Sequence, residues 1–219
     1  DNLLNTCRYL INQALPHIEA LGSPRAGAYA LIGLSYLIET PDALTYSFPY
    51  PHTPTTAEEK AFLPRKFIMD LIEKIAVRLH NQYTLTKGNG WNWFEDSLTY
   101  GNSMLPWALL KAYKISKNAN LKSTAKESLD FLASQTFSEE GYYKPIGSHG
   151  WLMRGGESAP YDEQPIEACE MLLACKEAAL VLQDTSYRKQ AALCYEWYIG
   201  HNSLKMSLID PQTGACYDG

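Results

Sequence analysis

The chain has 219 residues, 46% hydrophobic and 20% charged, with a formal net charge of −5 and a sequence pI near 5.6. That apolar share excludes a disordered chain, and the acidic balance argues against nucleic acid or an anionic membrane surface as partner. No apolar run approaches the ~20 residues that span a bilayer. Five cysteines without a C-x-x-C pair read as reduced, buried thiols, neither a disulfide framework nor a zinc site, and point to a cytoplasmic protein. A single domain over 1–219 is expected; the start at Asp1 and the end at Gly219 suggest that it is cut at one or both ends.

The elements follow from periodicity. Leu3, Leu4, Cys7, Leu10, Ile11, Ala14, Leu15 and Ile18 predict a helix over Asn2 to Leu21. After Gly22, Ser23 is placed to cap a second helix with Pro24 in its first turn. Ala26 to Ile38 is apolar nearly all round and predicts a buried helix. Pro41 to Pro64 reads as a long irregular connection. Further helices are expected over Arg65 to His80, Thr99 to Ile115, Ala119 to Gln135, Pro165 to Leu182 and Ser186 to Ile199. With no clear strand alternation, the fold class is all-α, with about seven helices and long loops. Gly90-Trp91, Gly141-Tyr142 and Gly214 with Tyr217 recur raggedly after helices, as stacked helical hairpins would place them. Every second loop would then open on one rim.

Those loops carry the candidate chemistry. The first holds Trp91, Trp93, Glu95, Asp96, Tyr100 and Asn102: aromatic faces suited to stack on pyranose rings, beside carboxylates suited to bind hydroxyls or move protons. The alternative is that Glu95 or Asp96 caps the following helix. The second holds His149, Trp151, Arg154, Asp162, Glu163, Gln164 and Glu167, with Arg154 a partner for a carboxylate or an anionic ligand group. One of Asp162 and Glu163 is expected to cap the helix that follows. The third holds His201 and Asn202 with Asp210, Tyr217 and Asp218. An acid–base pair drawn from Glu95/Asp96 and Asp162/Glu163, with Trp91, Trp93 and Trp151 as platform, would suit glycoside hydrolysis. Sugar epimerisation would need His149 or His201 as base. No His pair has ligand spacing and no Gly-rich loop follows a strand, so neither metal nor cofactor is expected.

The string Trp91-x-Trp93-Phe94-Glu95-Asp96-x-Leu98-Thr99-Tyr100-x-Asn102, with Pro145-Ile146-Gly147, Gly150-Trp151 and Gln164-Pro165-Ile166-Glu167-Ala168, resembles an α-helical module of bacterial glycosyltransferase-associated proteins. That module is similar to six-hairpin glycosidases and N-acylglucosamine 2-epimerases. Ser23-Pro24-Arg25-Ala26, Tyr198-Ile199-Gly200-x-Asn202 and the segment from Asp210 to Gly219 fit the same resemblance. It implies an (α/α) toroid, or an incomplete arc of one, since seven helices fall short of twelve. It also implies a carbohydrate ligand, and a glycosyltransferase domain or subunit as partner. Where related members carry Asp-Gln-Gln-Pro, this chain has Asp162-Glu163-Gln164-Pro165, so no catalytic role carries over there. Two readings follow: a glycosidase-like protein, or a non-catalytic glycan-binding or accessory domain. A purely structural helical-repeat domain would instead bury its aromatic loops.

Overall fold

A computed structural model describes residues 2–40, 45–47, 60–62 and 65–217. The irregular connection expected over Pro41 to Pro64 lies outside them, apart from a short antiparallel pair β1 (Thr45–Ser47) and β2 (Lys60–Phe62). Asp218 and Gly219 lie outside them too.

The chain is all-α: α1 (Asn2–Ile18), α2 (Pro24–Glu39), α3 (Arg65–Thr86), α4 (Met104–Ser116), α5 (Ala119–Thr136), α6 (Pro165–Leu182) and α7 (Ser186–Tyr198). Ser23 caps α2 as expected, its Oγ accepting from the Ala26 amide at 3.4 Å. Helix α2 is not buried all round, because Tyr29 and Tyr36 share an exposed stripe. Helix α4 starts five residues later than periodicity predicts. Ser97–Leu98 (β3) pair with Leu152–Met153 (β4), and this antiparallel link holds 97–98 extended. Neither Glu95 nor Asp96 therefore caps a helix. Before α6 the cap position falls to Gln164, without a side-chain bond, and not to Asp162 or Glu163.

Helices α2, α4 and α6 form a row with α4 in the middle; α3 and α5 back α2 and α4, and α7 backs α6. This place explains why α4 is buried from Met104 to Ala112. Two polar clusters set the direction of the row. Arg25, Asn102 and Glu167, at or just before the starts of α2, α4 and α6, are linked by hydrogen bonds. Toward the other ends, Lys111 and Lys114 of α4 bridge Glu39 of α2 and Glu177 of α6 at 2.8–3.4 Å. The three helices thus run parallel, with their positive dipole ends together. Lys111 is 2% exposed and lies 4.0 Å from the centre of the Tyr36 ring, so its charge is matched on three sides.

One apolar core runs from Leu15 to Trp197. Of the thiols, Cys175 and Cys194 are buried while Cys7, Cys169 and Cys216 are exposed, so the expectation of buried thiols holds for two. Among the described residues no helix is long and apolar enough to cross a membrane.

Candidate functional site

Three loops meet beside the starts of the parallel helices. The β3–β4 pair joins the 87–103 loop to the 137–164 loop. Ser203 donates to Glu163 at 2.7 Å, and the Tyr142 and His201 rings lie 6.3 Å apart, which brings in the loop after α7. The middle loop is knit by its own backbone, with Gly147, Ser148 and His149 amides donating to Ala159, Asp162 and Tyr161 carbonyls at 2.8–3.0 Å. Gly147 is required there. A Cβ would collide with the Tyr161 backbone and lie 2.6 Å from the Ala159 oxygen.

Part of the predicted site is core. Trp93 is fully buried and Trp91 is 7% exposed; both rings pack on Phe131. Trp93 therefore offers no face to a sugar, and it is fully buried together with Phe94. This is the burial that the structural reading expected of the first loop. Asp96 has a side chain 79% exposed, paired with Arg154 at 3.2 Å. Arg154 meets it through Nη1, which also donates to the Thr86 carbonyl, while Nη2 donates to the carbonyl of Gly88. The pair tethers two loops. Asp96→Asn is expected to shift stability by less than about 0.5 kcal/mol, as exposed pairs do, measured by urea unfolding.

Glu163 is buried and braces the loop after α7, accepting from Trp197 Nε1 at 2.8 Å and from Ser203. The cavity beside it, lined by Tyr161, Trp197 and Tyr217, holds about 70 Å³, too small for a sugar ring. Asp162 and His149 are exposed and join the loop ladder through their backbone. Gln164 is half-buried at the start of α6. His201 bonds Glu196 at 2.8 Å. Asn202 is buried, bridging the Trp197 and Met206 carbonyls, and Asp210 closes a turn onto Gln212 and Thr213. These residues shape loops.

The remaining predicted residues come together. Arg25, 6% exposed, donates to Glu95 at 2.5 Å, to Asn102 Oδ1 at 3.3 Å and to the Tyr100 carbonyl. Its guanidinium lies 5.1 Å from the centre of the exposed Tyr100 ring. Glu167, 4% exposed, accepts from the Gly101 amide at 2.5 Å and from Asn102 Nδ2 at 3.5 Å. One turn on, Glu170 is 5% exposed; Tyr29 donates to its Oε1, while its Oε2 is buried without a hydrogen-bond partner. Trp151 stands 6.3 Å from Tyr100, held at φ 61°, a conformation that costs a bulky residue about 1–3 kcal/mol. Backbone bonds to Gly147 and Ala159 on both sides of Trp151 keep it there.

Burial dominates the electrostatics. It pushes Glu167 from 4.5 up to about 7, with the Glu170 charge adding to the rise while the Gly101 amide, Asn102 and Arg25 oppose it. Burial also raises Glu170, against the Tyr29 hydrogen bond and the Arg25 charge. Glu167 thus titrates close to neutral pH, and it is linked through Asn102 and Arg25 to the ion-paired Glu95. Among the described residues no group of three or more His, Cys, Asp and Glu could hold a metal ion.

No family model, curated protein or solved structure matches this chain. The geometry alone therefore carries the functional argument.

Tyr29 and Glu170 were not singled out from sequence, and Arg25 entered only within the string Ser23-Pro24-Arg25-Ala26, not as a candidate site residue. The signal was present: Arg25 and Tyr29 stand four apart on an apolar helix, and Glu167 and Glu170 three apart on another, so each pair shares a face. Charged groups on helices that are otherwise buried need a partner.

Proposed function

We propose that the rim formed by Arg25, Tyr29, Glu95, Tyr100, Asn102, Trp151, Glu167 and Glu170 is the carbohydrate site of a glycosidase-like protein. The observation that carries this reading is the buried Glu167, its carboxyl pushed up to about 7 and bonded to the Gly101 amide, which follows the exposed Tyr100 whose ring lies 6.3 Å from that of the half-buried Trp151. A carboxylic acid kept neutral can protonate a leaving oxygen, and an ionised carboxylate nearby can serve as the base. In this reading Glu167 replaces Asp162 or Glu163 as one member of the carboxylate pair and acts as the acid, and Glu95 acts as the base. The parallel row of α2, α4 and α6, each returning through an outer helix, supports an arc of an (α/α) toroid. The glycosyltransferase-associated module and a cytoplasmic location belong to the same proposal, the latter supported by five unbridged thiols.

A second reading, glycan binding without turnover as an accessory domain, is favoured by one observation. Asp96, Glu163 and Asp162 all serve loop structure, which leaves Glu95 as the surviving member of the first carboxylate set. A glycan array followed by product analysis on every binder separates the two. Turnover that Glu167→Gln abolishes while binding persists supports the glycosidase. Binding without products supports the accessory domain, and no binding to any glycan rejects both.

A further inference from the structure

We infer that Glu170 Oε2 is the ligand-recognising atom of this rim, and that it takes a hydroxyl or ammonium donor from a sugar carrying no negative charge. The inference deepens the carbohydrate reading and rests on it. Glu170 is 5% exposed, its Oε1 is engaged by Tyr29, and its Oε2 has no partner. Leaving a buried carboxylate oxygen unpaired is costly, and native proteins leave few such atoms without a purpose. In its ionised form the Glu170 carboxylate only accepts hydrogen bonds, so what completes it there must donate.

The surroundings are built to leave room. Gly101, at φ +58°, places no side chain where a Cβ would lie 3.5 Å from the Tyr29 hydroxyl, 3.6 Å from Glu170 Oε2 and 3.7 Å from Arg25 Cδ. A gap the size of a methyl group thus adjoins the unpaired oxygen. Tyr29, whose hydroxyl borders the gap, is 44% exposed, so the oxygen lies one movable side chain below the surface. In this proposal a donor enters the gap past that side chain.

Charge decides the ligand class. Glu95 and Glu170, joined by Glu167 once it loses its proton above about 7, face one guanidinium, and Arg25 already spends its donors on Glu95, Asn102 and the Tyr100 carbonyl. Among the described residues no further cation is bonded into the cluster to receive a uronate or a phosphate. An anion would meet an unshielded acceptor instead.

The test titrates the whole chain near pH 7.5 with trisaccharides of three charge classes, followed by saturation-transfer NMR. Cellotriose, xylotriose and mannotriose are neutral, deacetylated chitotriose carries amines, and trigalacturonate is anionic. At least one neutral or amino trisaccharide is expected to bind and trigalacturonate to give no transfer. Glu170→Gln should weaken that binding by about tenfold or more, the loss of a charged acceptor, while melting no lower than the parent. Trigalacturonate binding as tightly as the others overturns the charge class and leaves the carbohydrate reading standing. Unchanged affinity in Glu170→Gln overturns the role of Oε2, and silence from every trisaccharide overturns the inference and the carbohydrate reading together.

Discussion

Glu167→Gln is expected to make the protein more stable above neutral pH, by about 3 kcal/mol, the free energy of moving a carboxyl from 4.5 to about 7. The native state binds more protons than the unfolded chain between those values. Stability of the parent therefore falls as pH rises from about 4.5 through 7 and is flat above it. Gln keeps an acceptor for the Gly101 amide and removes the charge, so the variant loses most of this slope. What remains in the window is the contribution of Glu170, raised by burial in the same direction. Partial desolvation raises Glu39, which is exposed, but Lys114 and Lys111 hold it low; its contribution lies below the window, where acid removes stability. Urea unfolding at pH 5 and pH 8 checks this. Parallel behaviour of parent and variant across that range would show that Glu167 is ionised throughout and would remove the acid from the proposed site. A group that weakens the free protein while sitting in its site is what a stability–function trade-off looks like.

The second large effect is at Arg25. Arg25→Ala is expected to cost about 3 kcal/mol, the lower end for breaking a buried pair, because Glu95 retains some access to water. Truncation leaves the Tyr100 carbonyl and Asn102 Oδ1 without this donor and takes away a cation that opposes protonation of Glu167. The pH window of the first prediction should therefore move upward in Arg25→Ala. A double-mutant cycle with Glu95→Gln isolates the pair, with a coupling of about 1–3 kcal/mol expected. An Arg25→Ala variant as stable as the parent would mean that the ion pair is not formed in solution. Arg25→Lys is not conservative here. An ammonium cannot reach Glu95, Asn102 and Tyr100 together in the planar fork that the guanidinium supplies.

The helices were legible because their cause is local. Periodic apolar residues predict α6 over Pro165 to Leu182 and the structure has it there; Ser23 caps α2 as its chemistry requires. Helix α3 runs on past the expected His80 to Thr86, and the expected start of α4 failed because a distant segment intervened. Thr99 to Ser103 would extend α4 by local preference, but β3 pairs with a strand more than fifty residues later and ends that option.

The site divides in the same way. Tyr100, Asn102, Glu95 and Glu167 were visible as residue types in suggestive loops, and the fold does bring them together. Trp93, Asp96 and Glu163 looked equally suggestive, and the fold spends them on core packing, a loop tether and a loop brace. Composition and periodicity carry the all-α class, the positions of seven helices and the presence of aromatic and acidic loops, because these depend on neighbours a few residues apart. Burial of one carboxylate and exposure of another depend on which helices stand beside them. Arg25, Glu95, Asn102 and Glu167 meet across separations of 65 to 77 residues, and only packing α2, α4 and α6 in parallel decides that contact. Desolvation, which turns Glu167 from an ordinary carboxylate into a proton carrier, is a property of that packing and has no local sequence code.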